Sequence, residues 1–143
     1  MKKLVIGTLV MSAAVVTPVH AKFTIECKTS TDASGKEVPR PVEWRWDGVE
    51  LRTITVNADQ EVDTHDVTPV HFVRRNLGHD DHSAYYAFVL SVGKDGDRLS
   101  RTIHVFTYAE RTFAFDHLAT ITKEGALIRP IESGHSDCTW TKY

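Results

Sequence analysis

Two cysteines near opposite ends of the chain constrain its fold more than any other feature. Cys27 and Cys138 lie 111 residues apart, and they are the only cysteines in the sequence. In an oxidising compartment, two cysteines in one small domain usually form a disulfide. The Cα atoms of a disulfide lie about 4.4–6.8 Å apart. We therefore expect the first and last strands to be neighbours, or to face each other across a thin core.

The first 21 residues indicate that the chain enters such a compartment. Lys2 and Lys3 precede an uncharged, largely apolar run over residues 4–16, and Val19-His20-Ala21 follows. This is the order of a secretory signal, and the run is shorter than the roughly 20 residues that span a bilayer. We predict cleavage after Ala21. Residues 22–143 are then a periplasmic or secreted domain whose mature chain is not inserted in a membrane.

Charge restricts the partners of this mature chain. The signal holds two lysines and no acid, so the formal net charge falls from −2 for the whole chain to −4 for residues 22–143. A mildly acidic chain without an obvious basic patch is poorly suited to nucleic acid or an anionic membrane. We expect neither as a partner. The length fits one domain.

Alternation of apolar and polar residues predicts β-structure. Phe23, Ile25 and Cys27 share one side of the first run, and Val42 to Trp46 alternates with charged residues. About eight short runs separated by turn signals predict an all-β fold, a single antiparallel domain built as a small barrel or a sandwich. The predicted strands after the first are 42–46, 49–53, 70–74, 84–92, 99–108, one through Phe113 and Phe115, 126–131 and 137–143.

The dipeptide Asp47-Gly48 between two alternating runs predicts a hairpin with a two-residue turn. This register gives one apolar face and one face with two pairs of opposite charges. The expected cross-strand pairs are Trp46–Val49, Arg45–Glu50, Trp44–Leu51 and Glu43–Arg52.

Four other segments are harder to assign. We favour a strand over a helix for residues 110–122, although Phe113, Leu118 and Ile121 could also line one helix face. Residues 57–68 are acidic, so we expect a loop or one helical turn. Residues 32–41 resemble a loop, and Ser133-Gly134 resembles a turn before the last strand.

Two groups of residues are candidate metal ligands. His79, Asp80 and His82 lie together after Gly78, but neighbouring loop residues rarely all reach one metal, so a further histidine would have to complete the site. A polar turn is the simpler interpretation. His104 and His117 form the second group. A turn centred on Glu110-Arg111 would place these two opposite each other beside aromatic rings, as a metal site, an acid–base pair or two ordinary half-buried rings.

Aromatic residues supply the candidate binding residues. Trp44, Trp46 and Tyr86 lie on predicted strands, where core packing is the default. If their face is exposed, it is a contact surface. The sequence contains no nucleophile elbow, zinc-protease pair or phosphate-binding glycine loop, so we expect no enzymatic activity.

These observations favour a non-enzymatic binding protein of the cell envelope that recognises another protein, as an inhibitor or immunity protein does. No cofactor is expected under this hypothesis. A small-ligand carrier is the first alternative, and it requires an interior void beside Trp44, Tyr86, Phe88 and Phe106. A divalent-metal-binding periplasmic protein that uses the histidines is the second. The oligomeric state stays open.

Overall fold

The described part of the chain contains nine β-strands and no helix. The computed structural model describes residues 22–57, 60–66, 71–77 and 82–143, without the side chains of 57, 60–66, 71–77 and 129. The predicted signal therefore lies outside the described residues. Within them, nothing resembles an apolar helix long enough to cross a bilayer. The strands are β1 (Phe23–Thr31), β2 (Glu37–Trp46), β3 (Leu51–Asn57), β4 (Gln60–Asp66), β5 (His71–Leu77), β6 (Ser83–Val92), β7 (Arg98–Tyr108), β8 (Arg111–Ile121) and β9 (Leu127–Lys142).

All nine strands belong to one antiparallel sheet, which confirms the predicted all-β antiparallel class. The strand order is β4-β3-β2-β1-β9-β8-β7-β6-β5, so the first and last strands are neighbours in the middle of the sheet. Cys27 on β1 lies directly opposite Cys138 on β9 and forms the predicted disulfide, with Cα atoms 3.9 Å apart. The bridge therefore joins two strands that also pair through their backbones.

The sheet is strongly coiled. Strands β4 and β5 lie at opposite edges, yet only residues 67–70 separate them in sequence. A flat sheet of nine strands would measure about 38 Å between its edges, whereas five residue steps reach at most about 18 Å. Contacts across the interior agree with this curvature, because Arg101 on β7 donates to the hydroxyl of Thr53 on β3 over 2.8 Å.

Aromatic side chains fill the concave side of the sheet. Phe23 on β1 stacks on Tyr86 of β6 with ring centroids 3.9 Å apart, and Trp46 on β2 meets Phe88 of β6 edge to face at 5.3 Å. Alternation explains this core, since every second residue of a strand points to the same face. The largest fully buried side chains are Trp44, Tyr86, Phe23, Phe88, Ile25, Leu51, Ile103 and Val105.

Strand β9 joins the half of the sheet formed by β5–β8 to the half formed by β1–β4. Its residues up to His135 pair with β8, and those from His135 onward pair with β1. The predicted turn at Ser133-Gly134 is therefore wrong, because one continuous strand replaces the two strands expected there. Backbone pairing on both sides of His135 outweighs the local turn preference of Ser-Gly.

The β2–β3 hairpin forms where the sequence predicted it, but with a longer loop. Trp46 pairs with Leu51 and Arg45 with Arg52, so four residues form the connection instead of two. Asp47 Oδ1 accepts hydrogen bonds from the backbone N–H groups of Val49 and Glu50, each at 2.8 Å. The predicted pairs Arg45–Glu50 and Glu43–Arg52 are wrong, and Val49 is 79% exposed.

Three ambiguous segments are strands. Residues 111–121 form β8, which confirms strand over helix. Residues 60–66 form β4, so the predicted loop or helical turn is wrong there, because pairing with β3 supplies the backbone partners that the acidic composition does not suggest. Only residues 32–36 of the expected 32–41 loop lie outside a strand, since β2 begins at Glu37 and contains both Pro39 and Pro41.

Candidate functional site

The convex side of β6, β7 and β8 carries a group of five rings. Its members are Tyr85, His104, Phe106, Phe113 and Phe115, and we call this group the aromatic face. They alternate with buried residues of the same strands, so they point away from the core. Tyr85 is 42% exposed and Phe115 is 51% exposed. Large apolar side chains that cluster on a surface commonly mark a contact site.

The rings of the aromatic face stand side by side. Tyr85 and His104 are 3.9 Å apart and inclined by 10°, and His104 and Phe106 are 4.9 Å apart. Phe106 continues the stack onto Phe113 at 5.5 Å and Phe115 at 5.9 Å. Two rings at 3.9 Å must lie face to face, so Tyr85 and His104 turn their edges to the solvent. These edges carry the positive part of the aromatic quadrupole.

His104 sits inside this stack as a neutral ring. Its Nε2 lies 3.0 Å from the Ser83 hydroxyl. Burial between the neighbouring rings lowers the pKa of His104 below its usual value of 6.5. The imidazole is therefore uncharged at neutral pH and packs with Tyr85 and Phe106 as an aromatic group.

A cleft of 380 Å³ opens beside the aromatic face. Two of its lining residues are hydrogen-bonded to each other: His117 Nδ1 donates to Glu132 Oε1 over 3.0 Å. Asp116 also lines the cleft, but it forms an ion pair with Arg101 at 3.1 Å. We call this the Glu132 cleft; its other lining residues are Tyr85, Thr102, His104 and Phe115.

A glycine makes room for the outermost ring. Gly134 on β9 lies opposite Phe115 on β8, and a Cβ atom at position 134 would lie 3.3 Å from Phe115 Cε1 and 3.1 Å from Thr31 Oγ1. Both distances are tighter than ordinary contact. Gly134 therefore lets Phe115 lie across the neighbouring strand.

An arginine fixes the other end of the aromatic face. Arg111 Nη2 binds Glu37 at 3.2 Å and Asp137 at 3.1 Å, and its guanidinium carbon lies 5.2 Å from the centre of the Phe113 ring. These carboxylates raise the pKa of Arg111 above its already high value. The contacts tie the start of β8 to β2 and β9.

The candidate metal ligands do not form a ligand set in the described part of the chain. His104 pairs with Phe115, and His117 pairs with Thr102, because the β7–β8 turn lies at Ala109-Glu110. The two histidines therefore do not lie directly opposite each other as predicted: each pairs with a residue two positions away from the expected partner, on the same face. His82 is exposed, while His79 and Asp80 lie outside the described residues. No three His, Cys, Asp or Glu residues converge among the residues described.

The candidate binding residues Trp44, Trp46 and Tyr86 all belong to the core. Each is at most 2% exposed, so they do not form a contact surface. Of the rings that the ligand-carrier hypothesis placed around a void, Tyr86 and Phe88 each contact other core rings. Phe106, the fourth residue of that set, lies on the aromatic face.

Sequence reasoning identified only part of this site. The proposed pairing of His104 and His117 beside aromatics already placed two histidines and nearby rings on one face. Phe115 was among those rings, but Tyr85 was missed because the apolar run 84–92 resembled a central strand. Glu132 was missed because the pairing of β8 with β9 was not predicted. Comparisons of the chain with protein-family models, with curated proteins and with solved structures find no match.

Proposed function

We propose that this chain is an exported, non-enzymatic binding protein that recognises another protein through the aromatic face. The exposed ring stack is the observation that carries the proposal. Tyr85 and Phe115 offer large rigid side chains, and immobilising such side chains on binding costs little conformational entropy. Aromatic residues are also enriched among the residues that dominate protein–protein binding energy.

The orientation of the rings favours a protein over a carbohydrate as the partner. A sugar ring packs on the flat face of an aromatic ring, whereas Tyr85, His104 and Phe106 direct their faces at one another. Their edges and the grooves between them suit apolar side chains that interdigitate with them. A protein partner supplies such side chains.

The rigid part of the sheet that carries the aromatic face suits an inhibitor or immunity role. Hydrogen-bonded strands on both sides of β7 and the Arg111 contacts hold the rings in fixed positions. A surface that is already ordered loses little entropy on binding. The disulfide between β1 and β9 is compatible with the oxidising compartment in which an exported inhibitor would act.

Capture of the partner tests this proposal. The immobilised mature protein is incubated with envelope extract of the producing cells and with their secreted proteins, and retained proteins are identified by mass spectrometry. We expect one specific partner, whose affinity falls at least about 30-fold in a Tyr85→Ala/Phe115→Ala variant, because central aromatic residues typically contribute 2 kcal/mol or more.

A matched control uses another exposed apolar residue. Val49 is 79% exposed and lies in the β2–β3 loop, outside the aromatic face. Val49→Ala should leave the affinity unchanged. A partner that the double variant retains as well as the natural protein does, or the absence of any specific partner, would contradict the proposal.

A further inference from the structure

We propose that the Glu132 cleft binds the guanidinium group of an arginine side chain. This inference rests on the proposed function, because it places that arginine on the protein partner. It adds a polar contact of defined chemistry beside the apolar contacts of the aromatic face.

Aromatic groups form one side of the cleft. Tyr85, His104 and Phe115 contribute rings, and the desolvated His104 ring is uncharged at neutral pH. Cations are attracted to aromatic faces, and arginine makes this contact more often than lysine because its planar group also stacks. Tyr85 and His104 turn their edges to the solvent, whereas Phe115 is the last ring of the stack and is 51% exposed, so a guanidinium would meet the outer face of Phe115.

A carboxylate forms part of the opposite rim. Glu132 is bound to His117 through one oxygen, and its side chain is 74% exposed. The two oxygens of a carboxylate match the paired N–H donors of an arginine, and the exposure of Glu132 lets such a group approach it. The Glu132 cleft therefore offers a stacking surface and an anionic acceptor together.

The charges around the cleft favour a cation. None of the described lining residues is a lysine or an arginine. Asp116 is compensated by Arg101, so Glu132 supplies the negative charge that is available at the rim. An anionic group would meet this carboxylate and gain no lysine or arginine partner from the lining residues.

A titration without any partner tests the inference. The ¹⁵N-labelled mature protein is titrated near neutral pH with Nα-acetyl-arginine N-methylamide, and with the citrulline and lysine analogues that carry the same blocking groups. We expect weak binding, on the order of millimolar, with shifts centred on the amides of Phe115, His117 and Glu132. The neutral citrulline analogue should bind at least about 5-fold more weakly, because it lacks the charge.

Two variants locate the site. Glu132→Gln keeps the shape of the side chain and should weaken arginine binding by about 5-fold. Glu124→Gln removes one charge from the exposed turn between β8 and β9 and should change nothing. Absence of shifts at these amides, equal binding of the citrulline analogue, or equal binding of the lysine analogue would overturn the guanidinium assignment.

The two proposals can fail separately. Capture of a partner that depends on Tyr85 and Phe115, without arginine binding in the titration, would overturn only the cation site. Arginine binding in the titration, without any partner that depends on those two residues, would overturn only the proposed recognition through the aromatic face.

Discussion

His135 shows how one partly buried side chain acquires a fixed protonation state. The Ser30 hydroxyl donates to the carbonyl of Arg40 over 2.8 Å, so it accepts from His135 Nδ1, which lies 2.9 Å away. The imidazole therefore carries its proton on Nδ1. Burial next to Trp44, whose ring centre is 5.0 Å away, lowers the pKa of His135 from 6.5 to about 4.

This pKa predicts a loss of stability in mild acid. The unfolded chain takes up a proton on His135 near pH 6.5, whereas the folded chain does so only near pH 4, so the stabilising contribution is complete above pH 6.5 and falls as the pH drops towards 4. The loss is at most about 3 kcal/mol. Urea unfolding across this range measures it.

The matched variant for this prediction is His135→Asn, which keeps a donor for Ser30 but does not titrate. Its unfolding free energy should decline less steeply between pH 6.5 and pH 4 than that of the natural protein. His104 also has a lowered pKa and adds a dependence of the same sign to both proteins. Identical slopes in the two proteins would show that His135 does not contribute.

Residue patterns predicted which side chains are buried better than which are exposed. Trp44 and Trp46 fell on the inner face as their alternation with charged residues indicated. On β7 and β8, however, both faces carry apolar or aromatic side chains, so periodicity alone does not tell inner Val105 from outer Phe106. The aromatic face becomes recognisable only when the register with β6 is known.

At the scale of elements, the β2–β3 hairpin illustrates why turn position is easier to predict than turn length. Asp47-Gly48 marked the correct place, but the Asp47 carboxylate replaces a backbone acceptor and so stabilises a four-residue loop. The backbone hydrogen bonds also lower the pKa of this carboxyl. The register shifts by two residues. Trp44 and Leu51 therefore still point to the core, whereas Val49 lies in the loop and is exposed.

A substitution at Val49 distinguishes the two registers, with Leu51→Ala as the reference for a buried site. Val49→Ser should change the free energy of unfolding by less than about 0.5 kcal/mol, as expected of an exposed site. Leu51→Ala should cost about 2–5 kcal/mol, because this residue is fully buried. Asp47→Ala should cost about 1–2 kcal/mol through two lost hydrogen bonds. A Val49→Ser cost as large as that of Leu51→Ala would support the two-residue turn instead.

Strand β4 marks the limit of prediction from composition. Its residues 60–66 include three acids, and local preference alone does not predict a strand. Pairing with β3 over all seven residues supplies the reason for the strand, and this pairing is a tertiary fact. The same holds for Pro39 and Pro41, which β2 accommodates beside a register shift in its pairing with β1.

At the scale of the whole molecule, the disulfide links two strands that backbone hydrogen bonds already pair. Cys27 and Cys138 join β1 to β9, so the covalent bond and the backbone ladder constrain the same two strands. The class of fold and this bridge were predictable, because both follow from patterns along the sequence. The strand order was not, since many orders are compatible with the same strands.

Removal of the bridge tests its contribution. A Cys27→Ala/Cys138→Ala variant should lose about 2–5 kcal/mol of unfolding free energy, because the bridge closes a loop of 111 residues in the unfolded chain. Urea unfolding of the oxidised natural protein and of the variant measures the difference. Equal stability of the two, or free thiols in mass spectra of protein purified from the envelope, would contradict this expectation.

The central position of β1 and β9 has a consequence for the order in which the molecule assembles. Seven strands lie between β1 and β9 in the sequence, so β1 has one unpaired edge until β9 is in place beside it. Strands β1–β4 and β5–β8 can each form locally as consecutive meanders, whereas joining the two meanders requires β9. A molecule in which β9 has not yet docked would therefore expose the edges of β1 and β8, and unpaired strand edges of this kind are sites of association between copies of a chain.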